Sequence, residues 1–277
     1  MAAGLVCGMR PLSLDHITAV DMAPEPLARC AAEAGYTGIC LFMQSMDVLP
    51  RMPQFDLVAD RARRADFRRL LGDLGVSLDL VYPFTLSGRT VVSEFAPAME
   101  CAAELGAGRI NALLYDRDPA RRLERFAGFA ELAHGFELPV AVEFYPVSQV
   151  RSLADALALI AAVNRPGLGV NADLLHLMRS GGSIDELTQA APGAILYGQV
   201  CDGPVTCDPD RIDTEASSAR LLPGSGTFDI ARFVAALPGD CPVSIEVPRE
   251  DAIAAGIGPR ERARSAIAAT RRVLGDH

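Results

Sequence analysis

Apolar residues recur along this chain with two periods. Short runs rich in Val, Ile, Leu, Phe and Tyr predict strands: "RPLSLDHI" near the start, "TGICLFM" (37–43), "VSLDLVYP" (76–83) and "RINALLYD" (109–116). Four more follow at "PVAVEFYP" (139–146), "GLGVNAD" (167–173), "ILYGQVCD" (195–202) and "PVSIEVP" (242–248). Between them the period lengthens to that of amphipathic helices, over 25–35, 65–75, 94–106, 121–135, 152–164, 183–190, 228–237 and 259–275. Ser152 with Asp155 and Ser183 with Glu186 read as capping starts, and Gly35, Gly75 and Gly106 as helix stops.

Eight strand–helix pairs without a Pro/Gly-rich linker predict an α/β fold, a single (β/α)8 TIM barrel over residues 1–277. A doubly wound open sheet would want a glycine-rich first turn, and "LDHITAVD" after the first strand has none. Barrel active sites lie at the C-terminal ends of the strands, so those residues carry the candidate chemistry. Strand five ends on Glu143, strand six on Asp173, strand seven on Gln199 and Asp202, and strand eight on Glu246. Alternation pairs Ala141 with Glu143, Asn171 with Asp173, Tyr197 with Gln199 and Ser244 with Glu246 on one face. If that face is the barrel interior, four oxygen donors converge at its mouth. A lone carboxylate there would be an ordinary rim residue. Glu143 and Glu246, however, sit in apolar runs, where an unpaired charge costs several kcal/mol. A divalent cation would offset that cost.

Composition narrows the function. Half of the 277 residues are hydrophobic, enough for a large core, and the formal charge is −9. An acidic chain is ill suited to neutralising phosphates, so nucleic acid is not the expected partner. Seven cysteines stand at positions 7, 30, 40, 101, 201, 207 and 241, with no CxxC pair. That spacing suggests no disulfide framework or zinc knuckle and fits a reducing, cytoplasmic setting. The first residues lack a basic stretch followed by a long apolar run, and no segment reaches ~18 uninterrupted apolar residues, so neither a secretory signal nor a membrane span is expected.

The segments "VAVEFYP", "GVNADLLHLMRSGG", "YGQVCDGP", "ARLLPGSGTFD" and "VSIEVP" resemble the xylose-isomerase-like TIM-barrel superfamily of sugar-phosphate isomerases and epimerases, over roughly 30–275. The resemblance implies one divalent ion held by Glu143, Asp173, Gln199 and Glu246. Gln199 stands where many ketose epimerases have His, and is similar to the residue in hydroxypyruvate isomerases and 3-dehydroshikimate dehydratases. An all-oxygen set favours Mn2+ or Mg2+ over Co2+ or Zn2+. His176 is implied to contact substrate or orient a ligand, and Arg220 to approach from the strand-seven loop with Glu215 as its positioning partner. Asp202 and His16 are further expected substrate contacts. The Gly224 and Gly226 N–H groups are either an anion site or a plain turn.

The chemistry so implied is proton transfer beside a carbonyl through a metal-stabilised enediolate, with Glu143 and Glu246 as base and acid. A dehydratase would use the same site if a β-hydroxyl is placed to leave. An apurinic endonuclease shares the superfamily but needs a histidine cluster, and this chain has four histidines, two of them (His134, His277) outside any strand end. A non-catalytic binding barrel is the remaining class. The expected partner is a small molecule, and a homodimer is common among such relatives.

Overall fold

The computed structural model describes residues 10–275. The ends of the expected 1–277 domain, with Cys7 and His277, lie outside the described residues. Eight parallel strands close into a barrel in sequential order: β1 (Leu12–Asp15), β2 (Gly38–Phe42), β3 (Ser77–Leu86), β4 (Ile110–Leu114), β5 (Val140–Glu143), β6 (Leu168–Asp173), β7 (Ile195–Val200) and β8 (Val243–Ile245). Closure is made by β1 against β8, with Leu12 opposite Val243 and Leu14 opposite Ile245. Helices α1 (Pro24–Ala34), α2 (Arg61–Leu74), α3 (Ala96–Leu105), α4 (Pro119–Gly135) and α5 (Leu153–Val163) follow the first five strands. Then come α6 (Leu174–Arg179) and α7 (Ile184–Gln189), α8 (Ile212–Ser218) and α9 (Ile230–Ala236), and α10 (Glu250–Ala254) and α11 (Pro259–Leu274).

The strands lie where the period-2 runs place them, because strands covered on both faces must be almost continuously apolar. The expected caps also form. Ser152 accepts from the Asp155 N–H, Ser183 and Glu186 complete a capping box, and Gly35, Gly75 and Gly106 end their helices with positive φ. The short α6, α8 and α10 lie outside the helices expected from the periodicity.

Two apolar layers result. The larger lies between strands and helices and includes Leu14, Ile39, Phe67, Phe126, Phe129 and Phe233. The smaller fills the barrel itself with Cys40, Leu80, Tyr82, Ala141 and Tyr197. Above this plug the inward positions turn polar: Asp15, Asn111, Glu143, Asn171, Asp173, Gln199 and Glu246 are all buried. The change of polarity along the barrel axis sets the depth of the site. All described cysteines are free, and among the described residues no helix is long and apolar enough to cross a membrane.

His16, expected to touch substrate, does something else. It opens a 3-10 turn (His16–Ala19) after β1 and is fully buried, edge-on to Phe42 and stacked on Phe55. Its Nε2 donates to the Met22 carbonyl at 2.9 Å, and its Nδ1 accepts the Phe42 N–H at 3.3 Å. Both ring nitrogens therefore serve the backbone, where the sequence led to an expected substrate contact. The arrangement admits only neutral imidazole, since a second ring proton would face the Phe42 N–H. Burial accordingly pushes His16 from its ordinary 6.5 to about 4.

A depressed folded-state value means the unfolded chain takes up the proton first, so this contribution is complete above about pH 6.5 and is lost as pH falls toward 4. Urea unfolding at pH 7 and pH 4.5 should show a pH-dependent loss in the wild type that is smaller by roughly 2–3 kcal/mol in His16→Gln. An identical loss in both proteins would exclude this role.

Candidate active site

The polar residues above the plug form one closed circuit. His176, on α6, places Nε2 3.2 Å from Glu143 Oε1, and Glu143 Oε2 accepts from the Asn111 amide on β4. Asn171 Nδ2 then donates to Asn111 Oδ1 at 3.1 Å and to Gln199 Oε1 at 2.6 Å. Gln199 Nε2 donates to Glu246 Oε2 and, at 3.2 Å, to Asp15 Oδ2. Arg220 closes the ring, with Nη2 2.9 Å from Glu246 Oε1 and Nη1 2.6 Å from Asp173 Oδ2. Asp173 caps α6 by accepting the His176 N–H, and its Oδ2 lies 3.8 Å from His176 Nε2.

Register explains the convergence. Glu143 is opposite Asn171 on β6, and Asp173 is opposite Gln199 on β7, so adjacent strands deliver neighbouring polar groups to one height. The interior alternation expected for β5 to β8 produces this geometry. The same rule extends to Asn111 in "RINALLYD" and Asp15 in "SLDHI", two residues the sequence reading did not select.

Burial dominates the electrostatics. It pushes Glu246 well above the ordinary carboxylate range in spite of Arg220, and it raises Asp15, whose carboxylate also accepts from the Tyr82 hydroxyl. For Asp173 burial acts in the same direction, but Arg220 and then His176 outweigh it and hold this carboxyl low. Burial alone would lower Arg220, yet Asp173 and Glu246 keep the guanidinium firmly charged. Asn171 Oδ1 and His176 Nδ1 are buried without a partner.

Two expected site residues are engaged within the chain. Asp202 holds backbone: Oδ1 accepts the N–H groups of Gly203 and Phe228, and Oδ2 those of Gly224 and Gly226, all at 2.9–3.0 Å. The anion bound by the two glycine N–H groups is thus the chain's own. A side chain at Gly226 would meet Asp202 Oδ1 and the Gly203 carbonyl at 2.3 Å, which explains the glycine. Glu215 does not position Arg220. It is held by Arg179 through two bonds of 2.6 and 2.7 Å, while Arg220 reaches the carboxylates directly.

Glu143, Asp173 and His176 offer ligand atoms within 4.8 Å of one another, two carboxylate oxygens and an imidazole nitrogen. That donor set fits a divalent ion, and the buried His176 Nδ1 has no partner of its own. The expected ligands Gln199 and Glu246 lie on the same circuit but are engaged with each other, Gln199 through its amide N–H. An imidazole in the set removes the strict preference for a hard ion.

A cavity of about 290 Å³ opens above the circuit and is lined at its floor by Asn111, Glu143, His176, Gln199, Arg220 and Glu246. Fold and site together define an α/β barrel with its candidate chemistry at the C-terminal strand ends. More narrowly, the family model described as xylose isomerase-like TIM barrel matches residues 28–273, and the chain belongs to that family. An inosose isomerase of Bacillus licheniformis is 24% identical over 159 residues, covering 54% of this chain and 56% of the relative. The chain thus spans about half the length of the curated relatives it matches. Among solved structures, IOLI protein with a binding zinc atom superposes with a TM-score of 0.76 at 20% identity, covering 96% of this chain and 98% of that one. The probable 3-DHS dehydratase AsbF of Bacillus anthracis gives 0.74 at 18% identity, covering 96% and 99%. At these identities the structures show a shared fold.

Removing Arg220 would leave Asp173 and Glu246 buried without their cation. In chelator-containing buffer, Arg220→Met should lower the unfolding free energy by about 3–5 kcal/mol in a urea titration. Arg69→Ala, at the exposed pair with Asp66, should cost at most ~1 kcal/mol. Equal small losses in the two variants would contradict the circuit.

Proposed function

We propose that the protein is a divalent-metal-dependent isomerase or epimerase that moves a proton at the carbon beside a carbonyl in a polyhydroxy carbonyl compound. The observation that carries this reading is the convergence of Glu143, Asp173 and His176 beneath a cavity that Glu246 also lines. Those three residues would hold the ion, with Gln199 and Glu246 as the further ligands implied by the resemblance. Zn2+, Mn2+, Co2+ and Mg2+ are all compatible in donor chemistry, and the zinc atom of the IOLI protein supports the first. When bound, such an ion supplies Lewis-acid polarisation of a carbonyl and its neighbouring hydroxyl.

The chain's own residues supply the proton movements. Glu246, its two oxygens fixed by Gln199 and Arg220, is the acid that partners Glu143. Glu143 is steadied by Asn111 at one oxygen and faces His176 with the other, which leaves it placed as the base. Inosose isomerase among the relatives supports the isomerase reading. Elimination of water by the same residues is the second reading, supported by the dehydratase that shares the fold. A small-molecule substrate, a cytoplasmic setting and a homodimer complete the proposal.

Purified protein should bind about one divalent ion per chain by elemental analysis, and chelation should abolish exchange of the substrate's α-proton with deuterated solvent. Glu143→Gln and Glu246→Gln should each lower kcat/KM by roughly 10²-fold or more. Metal-independent exchange, or full activity in either variant, would sink the proposal.

A further inference from the structure

The ring of His176 is held by little besides packing. Its Nε2 faces Glu143 Oε1 at 3.2 Å and Asp173 Oδ2 at 3.8 Å, and among the described residues no protein group bonds its Nδ1. A histidine that ligates an ion ordinarily has its other nitrogen fixed by a carboxylate or a carbonyl. An ion held by Nε2 would also take that nitrogen from Glu143. Orientation of the imidazole then falls to its neighbours, and the ring beside it is Tyr145, with centroids 4.5 Å apart and planes tilted by 43°.

Tyr145 is itself held at both ends. Its backbone N–H donates to the Val150 carbonyl at 2.9 Å and its carbonyl accepts from the Ser148 N–H at 2.8 Å, which closes the turn after β5. Its hydroxyl donates to Asp213 Oδ1 at 2.5 Å. Asp213 stands on α8 two residues before Glu215, and Glu215 accepts from Arg179 through bonds of 2.6 and 2.7 Å. Arg179 is the last residue of α6, the helix that carries His176. The contacts thus run from the α6 histidine through Tyr145 to α8, and from α8 back to α6. Tyr145, His176 and Glu215 are buried, which limits the movement this triangle allows.

We infer that Tyr145 is a positioning residue for His176: its ring sets the plane of the imidazole, and its bond to Asp213 sets the ring. The consequence, tighter holding of a divalent ion, rests on the function proposed above. The contact between the two rings stands without it.

Two readouts separate the contact from its consequence. In metal-free protein the chain's four histidines give few ring resonances, and those of His176 are assigned by their loss in His176→Asn. Tyr145→Leu should move them, and Tyr145→Phe should move them less. Competition with a chromophoric chelator for Zn2+ then reads the consequence. Tyr145→Leu should weaken Zn2+ binding at least ~tenfold, and Tyr145→Phe and Asp213→Ala at least ~threefold. Asp213→Asn, which keeps an acceptor oxygen, should stay within ~twofold of the wild type. In a His176→Ala background, Tyr145→Leu should cost less than ~twofold more, because the ring it positions is gone. Tyr36→Phe, which loses a buried hydroxyl bond to the Ala263 carbonyl outside the site, should leave Zn2+ binding unchanged. Unmoved His176 resonances or an unchanged Zn2+ affinity in Tyr145→Leu would overturn the inference. An undiminished loss in the His176→Ala background, or an equal loss in Tyr36→Phe, would overturn it as well. Shifted resonances in Tyr145→Leu with no Zn2+ binding by the wild type would keep the positioning of the ring and discard the proposed metal chemistry.

Discussion

The structure turns on one constraint: the acidic groups gathered at the inner ends of β1, β5, β6 and β8 must be buried together. Burying carboxylates without partners is costly, and Asp15, Glu143, Asp173 and Glu246 are all buried. The chain meets this with one guanidinium and three amides. Arg220 spans Asp173 and Glu246, while Asn111, Asn171 and Gln199 join Glu143 to Glu246. The amides are constrained by their ends. With Asn111 and Gln199 each turning an N–H outward to a carboxyl, Asn171 must donate in both directions, and its own oxygen is left without a partner.

The position of Arg220 is itself secured from a distance. Asp202, just past β7, gathers four N–H groups, and its backbone pairs in both directions with Leu221, the residue after Arg220. The Arg220 N–H in turn donates to the Pro248 carbonyl beyond β8. Asp202 therefore acts through the backbone of the loop that delivers the guanidinium. This is why Asp202 and the two glycines, open in the sequence to an anion site or a plain turn, belong to the scaffold.

Function follows from the division of labour along the barrel axis. The apolar plug of Cys40, Leu80, Ala141 and Tyr197 closes the barrel below, the polar circuit forms a floor, and apolar and hydroxyl-bearing residues together form the walls. Proton transfer beside a carbonyl, as proposed, needs titratable groups screened from water and held at fixed angles. The circuit supplies both, because each of its carboxyl groups accepts from an amide or the guanidinium held on a neighbouring element.

Strand placement, the closed parallel barrel and the carboxyl groups of Glu143, Asp173 and Glu246 were legible in the amino-acid sequence. Each depends on local periodicity: alternation fixes which side chains point inward, and connections too long for hairpins make the strands parallel. Asn111 and Asp15 obeyed the same rule and were readable in principle. The partners of Arg220, the scaffold role of Asp202, the Arg179–Glu215 pair and the backbone duties of His16 were not. These contacts join residues from different loops and strands, and nothing within either segment encodes the distance between them. The sequence determined which groups face the interior. Only the closure of β1 on β8 and the path of the loop after β7 decided which of them meet, because pairing depends on register and on loop course across the whole barrel.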